Sequence, residues 1–136
     1  MPFFQDINFG TVLLAAIAKV IMGSFWYSPL ILGKSWMREN RFTEEDFKKG
    51  HPIWLMATLS ISFAFTAALA IAFFMKPEST ALSGAGLGAV VSTFWISTSK
   101  ANTFLFENYS LRHYLIHVGY DVCSYTVMGA ILGALR

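Results

Sequence analysis

Residues 54–74 read WLMATLSISFAFTAALAIAFF, and no charged side chain occurs between His51 and Lys76. A helix needs roughly 20 mostly apolar residues, each rising 1.5 Å, to cross the hydrocarbon core of a bilayer. This run is long enough, apolar on every side and rich in alanine and leucine. Apolarity all round marks a helix that is buried or faces lipid. Three other stretches share its character, so the long apolar segments are residues 9–32, 53–75, 82–106 and 111–135. A chain of 136 residues has too little protein to bury four such helices, so lipid must surround them. The alternative, a closed barrel, would show segments of ~10 residues alternating apolar and polar. The quoted run does not alternate. The expected fold is therefore all-α: a single four-helix transmembrane domain over residues 1–136, with a cytoplasmic loop at 33–51.

Composition agrees. Hydrophobic residues make up 55% and charged residues 13%, against roughly 25% charge in an average soluble domain. A small soluble domain needs more polar surface than this to cover its large area. The net charge of +2 is too small to suggest a nucleic-acid partner. Cys123 is the one cysteine, which excludes an internal disulfide and a cysteine-based zinc site. The N-terminus, MPFFQDINFG, has no basic residue ahead of the first apolar run, which disfavours a cleaved signal peptide.

Basic residues in the connections set the expected orientation. The first connection carries Lys34, Arg38, Arg41, Lys48 and Lys49, and the third carries Arg112 with Lys100 just before it. The N-terminal tail has none, the second connection has Lys76, and the C-terminus has Arg136. Both termini are expected outside the cytoplasm. Trp26, Tyr27, Trp36 and Trp54 cluster at the cytoplasmic interface, where a ring with one polar atom is favoured. Pro29 should kink or end the first helix, and Gly33 supports a stop. Thr43, followed by Glu44, Glu45 and Asp46, predicts the start of a short interfacial helix ending in Lys48 and Lys49.

Charges inside apolar segments are costly, about 2.5–3.5 kcal/mol each at the bilayer centre, and usually face protein or a cavity. Lys19 lies ~10 residues, or ~15 Å, inside the outer end of helix one. Asp121 lies ~9 residues inside the cytoplasmic end of helix four. The two are expected to form or share a buried ion pair. Such a pair either fixes helix packing or makes a site where Asp121 exchanges a proton or cation against Lys19. On helix four, His113, His117, Asp121 and Ser124 or Tyr125 recur at spacings of three or four and so share a face. Hydrogen bonding across helices is the default for these histidines, and a proton path along them is the alternative. Histidines at i, i+4 have a metal-ligand spacing, but no third ligand lies near in sequence and no metal is assigned. Lys100, Glu107 and His117 fall at similar depth and would line a polar vestibule, or Lys100 snorkels to the headgroups.

Small residues let helices approach in lipid. Gly84–Gly88 and Gly129–Gly133 each form GxxxG, Ala64, Ala68 and Ala72 make a small ridge, and Gly23 lies one turn beyond Lys19. These serve packing within one chain or association of copies, and the chain is expected to be a homo-oligomer surrounded by membrane lipids. Helices three and four are expected to meet at the two glycine motifs. No nucleophile elbow, phosphate loop or HExxH is present, so no enzyme and no cofactor is expected.

Phe25-Trp26-Tyr27-Ser28-Pro29-Leu30, then Gly33-Lys34-Ser35-Trp36-Met37, resembles the start of the domain of unknown function family 1761 (DUF 1761). Leu105-Phe106-Glu107, Val118-Gly119-Tyr120-Asp121 and Met128-Gly129-Ala130-Ile131-Leu132-Gly133 resemble its second half. The resemblance covers nearly the whole chain. It implies a small, mostly bacterial, four-helix integral membrane protein and brings no activity, cofactor or catalytic residue. Two function classes follow from the residues. One is a transporter or channel-like protein with Lys19, Asp121, His117, His113, Lys100 and Glu107 on a polar interior. The other is a non-catalytic scaffold binding lipid or a partner protein, its charges serving packing. An enzyme acting on lipids ranks third.

Overall fold

The computed structural model describes residues 6–135 and contains only helices among them. Arg136 and the first five residues lie outside this range, so the C-terminal basic charge has no structural account. The elements are α1 (Phe9–Trp26), α2 (Gly33–Asn40), α3 (Glu44–Lys49), α4 (Ile53–Phe73), α5 (Ala81–Val90), a π segment (Val91–Ile96), α6 (Ser97–Phe106) and α7 (Leu111–Ala134). The π segment joins α5 to α6 in one continuous span, Ala81–Phe106. With α1, α4 and α7 this makes four helices long and apolar enough to cross a membrane.

Local chemistry explains the boundaries. The side chain of Asn8 accepts from the Thr11 amide at 3.2 Å and starts α1. That helix ends at Trp26, short of residue 32, because Pro29 disfavours helical backbone in the residue before it. The chain then turns tightly, with the Gly33 amide donating to the Ser28 carbonyl at 2.8 Å. Gly33 does not end a helix; it begins α2, and a Cβ there would strike the Tyr27 and Ser28 backbone. Thr43 and Asp46 close a reciprocal capping box on α3. Thr80 and Ser83 do the same for α5, and Ser110 caps α7.

Helix α7 is the hub. Its largest interface is with α5, and there the backbones touch. A Cβ on Gly84 would collide with the carbonyl of Gly129, one on Gly88 with that of Tyr125, and one on Gly133 with that of Thr80. Both glycine motifs therefore serve packing within one chain. Near the same end, Val12, Ala15, Ala68, Ile71, Met128 and Leu132 form a core shared by α1, α4 and α7. The Thr11 hydroxyl donates to the Leu135 carbonyl at 2.6 Å and ties the two chain ends together.

The π segment has a positional purpose. Gly84, Gly88, Ser92 and Ser97 are the buried residues of the third span, a stripe stepping by four, four and then five. A step of five is one residue more than an α-helical face allows, and it shifts everything after it by about 100°. The wide turn is closed by hydroxyls: Ser97 donates to the Ser92 carbonyl at 2.7 Å, and Ser92 donates to the Gly88 carbonyl at 2.8 Å. From the other side, the Tyr114 hydroxyl donates to the Ser97 carbonyl at 2.9 Å.

Two outcomes test this description. Gly129→Ala should lower thermal stability in detergent by about 1–3 kcal/mol, the usual cost of overpacking. Gly86→Ala, with nothing within 4 Å of its Cβ, should be neutral or slightly stabilising. Hydrogen bonds from the Thr43 amide and hydroxyl hold the Asp46 carboxyl below its usual 3.8. A depressed carboxyl stabilises above its unfolded value, and that support is lost as pH falls through the folded one. Amide resonances of Thr43 and Asp46 should therefore stay native at neutral pH and move to uncapped positions only in strong acid.

Candidate functional site

Every deep polar residue meets α7, but they divide between two of its sides. Consecutive helical residues point about 100° apart. Tyr120 accordingly faces α1, and Asp121 faces α6.

Asp121 is 4% exposed, and its Oδ2 lies 2.5 Å from Nζ of Lys100. This is the one salt bridge among the described residues. The expected Lys19–Asp121 pair is not formed. The π segment turns Lys100 inward to take Asp121, so Lys100 does not simply reach for the headgroups. Its side chain remains 39% exposed, so the pair is covered on the acid's side and open on the lysine's.

Lys19 has a different solution. Its ammonium donates to the Tyr120 hydroxyl at 3.1 Å and lies 4.2 Å from the centre of the Tyr120 ring and 5.3 Å from that of Tyr125. The same hydroxyl donates to the Lys19 carbonyl at 2.8 Å. Ring faces attract a cation, most strongly where water is excluded. Gly23 makes room, since a Cβ there would press on the Tyr120 hydroxyl.

The histidines are packed against rings and do not form a wire. His117 Nδ1 and the Tyr27 hydroxyl are hydrogen-bonded at 2.7 Å. His113 is buried among Phe104, Tyr109 and His117, and its Nδ1 has no hydrogen-bond partner. No hydrogen bond among the described residues joins His113 to His117 or His117 to Asp121. Glu107 is exposed at the end of α6 and joins neither cluster, so the expected vestibule of Lys100, Glu107 and His117 is not assembled.

Tyr27, Tyr120 and Tyr125 emerge as neighbours of Lys19 and His117. Tyr27 reads in sequence as an interface anchor, and Tyr120 sits unremarked beside Asp121. Three-residue spacing from His117 to Tyr120 was the signal that both share the α1 side of α7. The Trp26 indole donates to the Ile116 carbonyl at 2.9 Å and pins the end of α1 to α7.

A large opening lies where α1 and α4 diverge. Their contact uses Thr11, Val12, Ala15 and Ala16 of α1 and Ala64, Ala68 and Ile71 of α4, all towards one end of each helix. Beyond it they splay and leave a groove of about 680 Å³. Lys19, Tyr27, Tyr120 and Tyr125 form its polar side, Met56, Phe63 and Ala67 of α4 with the Ser60 hydroxyl its mostly apolar side, and Phe47 of α3 reaches it. Asp121 does not line it. No group of three or more metal-ligating side chains occurs among the described residues.

A family model described as Protein of unknown function (DUF1761) matches residues 11–133. The chain belongs to this family. No curated protein and no solved structure matches it. The DUF1761 match takes in α4 and the Ala81–Phe106 span whole, all but the first two residues of α1 and the last of α7, both glycine motifs and every site residue named above. Its description states no activity, so a function for this DUF1761 chain has to be argued from the site.

The ion pair predicts an asymmetry. Lys100→Met strands a buried carboxylate and should cost up to about 3–5 kcal/mol, the range for breaking a buried pair. Asp121→Asn leaves only a half-exposed lysine and should cost clearly less. The double variant Lys100→Met with Asp121→Leu should recover most of the loss. Thermal unfolding of the variants in one detergent checks the order.

Proposed function

We propose that this protein is a non-catalytic, four-span membrane protein that holds an amphipathic, lipid-like molecule in the groove between α1, α4 and α7. One observation carries the reading: a groove of about 680 Å³ has a cation on one wall and mostly apolar side chains on the other. Cavities of ~300–1,000 Å³ with mostly apolar walls and few polar groups are the usual form of small-molecule sites. The Lys100–Asp121 pair, closed on the acid's side and absent from the groove, then serves packing between α6 and α7.

The family resemblance implies a bacterial inner-membrane placement, and the charge bias supports an orientation with both termini outside and α2 and α3 on the cytoplasmic side. The groove would then open in the cytoplasmic half, beside Ile53 and Phe47. Membrane lipid is the proposed partner. Because both glycine motifs are engaged within one chain, a homo-oligomer would use another face.

Transport is the second reading, and one observation favours it. A half-exposed lysine grips a buried acid, so a proton could reach Asp121 from the Lys100 side.

Native mass spectrometry of protein extracted in mild detergent should show a bound lipid-like mass on the wild type. Ala57→Trp, which fills the groove, should lose it while keeping the helical content. A wild type that carries and takes up no such molecule would sink the binding reading. In liposomes, wild type and Asp121→Asn should be equally silent in proton and cation flux. Flux in the wild type that disappears in Asp121→Asn would establish transport instead.

A further inference from the structure

Lys19 is a membrane-embedded cation that forms no salt bridge among the described residues, because Asp121 is held by Lys100, and it lines the groove. An ammonium has three N–H donors. Tyr120 takes one of them, and the tyrosine rings lie against the charge without accepting a conventional hydrogen bond. Two donors are left, in a cavity with room for a ligand. A net charge held in low dielectric is costly unless paired and hydrogen-bonded. The groove therefore has one positive charge to be matched and donor capacity for two acceptor oxygens.

The other wall limits what brings those oxygens. Met56, Phe63 and Ala67 offer apolar surface, and the Ser60 hydroxyl is the polar group that α4 adds. Past Ala67 and Tyr125, which line both spaces, an apolar cleft of about 240 Å³ adjoins further along α4, walled by Phe74, Val91 and Trp95. A ligand meeting Lys19 can thus continue as a hydrocarbon chain through apolar surroundings. One cation, with no arginine and no second lysine lining the groove, matches a singly charged head and under-neutralises a doubly charged phosphate.

We infer that the groove selects a single-chain amphiphile with a carboxylate head, a fatty-acid-like molecule, whose two oxygens accept from Lys19 and whose chain lies along α4 towards the cleft behind Ala67. The inference rests on the groove being a binding site, as proposed above, and adds the charge and class of the ligand. Tyr120 and Tyr125 are positioning residues, since they hold the ammonium.

The test uses the full-length protein in nanodiscs of neutral lipid. A long-chain fatty acid and the fatty alcohol of the same chain length are titrated in parallel, followed by native mass spectrometry. The wild type should prefer the acid by at least about tenfold, the value of one charge-assisted hydrogen bond. Lys19→Met should bring the acid down to the level of the alcohol and leave the alcohol unchanged, while Lys19→Arg should keep the preference. If the wild type binds both equally, the carboxylate assignment is wrong and the groove reading survives. If it binds a monoalkyl phosphate clearly better than the fatty acid, the head group assigned here is wrong. If it binds none of the three, both readings fall. The wild-type comparison needs no variant, so poor folding of Lys19→Met leaves the inference decidable.

Discussion

The contact of two bare helix backbones organises this molecule. Lipid is as apolar as leucine, so helices in a bilayer gain little by hiding apolar side chains from it. They associate where they can approach closely. Gly84, Gly88, Gly129 and Gly133 allow α5 and α7 to do so along two turns, with each glycine's missing Cβ replaced by the other helix's carbonyl. With α7 held on that side, α1 packs along its remaining surface from Thr11 to Trp26, and α4 packs against α1 at one end only. The groove is what remains where they part.

Much of the architecture could be read from the chain. Four spans follow from apolar length, the glycine motifs announce the α5–α7 contact, and Thr43 with its acidic followers marks α3. Burial was legible in part: Asp121 is 4% exposed and Lys19 is half-buried, while the Lys100 side chain is 39% exposed. What a residue count along a helix does not show is direction around its axis. Lys19 and Asp121 match in depth, yet one residue's difference on α7 turns Asp121 away from α1 and puts Tyr120 there instead. The partner actually taken, Lys100, depends on a five-residue step between Ser92 and Ser97, and no apolar periodicity announces such a step.

The two embedded lysines show how differently a membrane protein can house the same side chain. Lys100 meets a carboxylate, and the pair is electrically closed. Lys19 meets aromatic rings and one hydroxyl, which cradle the ammonium while leaving its formal charge in place. The first arrangement joins two helices. The second leaves a charge beside a cavity, which is why the groove and not the ion pair carries the functional argument.

The π segment also divides the third span into two pieces with separate obligations. Before it, α5 is held by steric fit against α7, and an added carbon on the Gly84–Gly88 face is refused. After it, α6 is held by one electrostatic clasp and a set of hydroxyls, which specify chemistry more than shape. Sequence drift should therefore follow different rules on either side of residues 91–96: conservation of size in the glycine half, and conservation of charge in the lysine half. A change in one half need not be compensated in the other, because the wide turn between them already uncouples their registers.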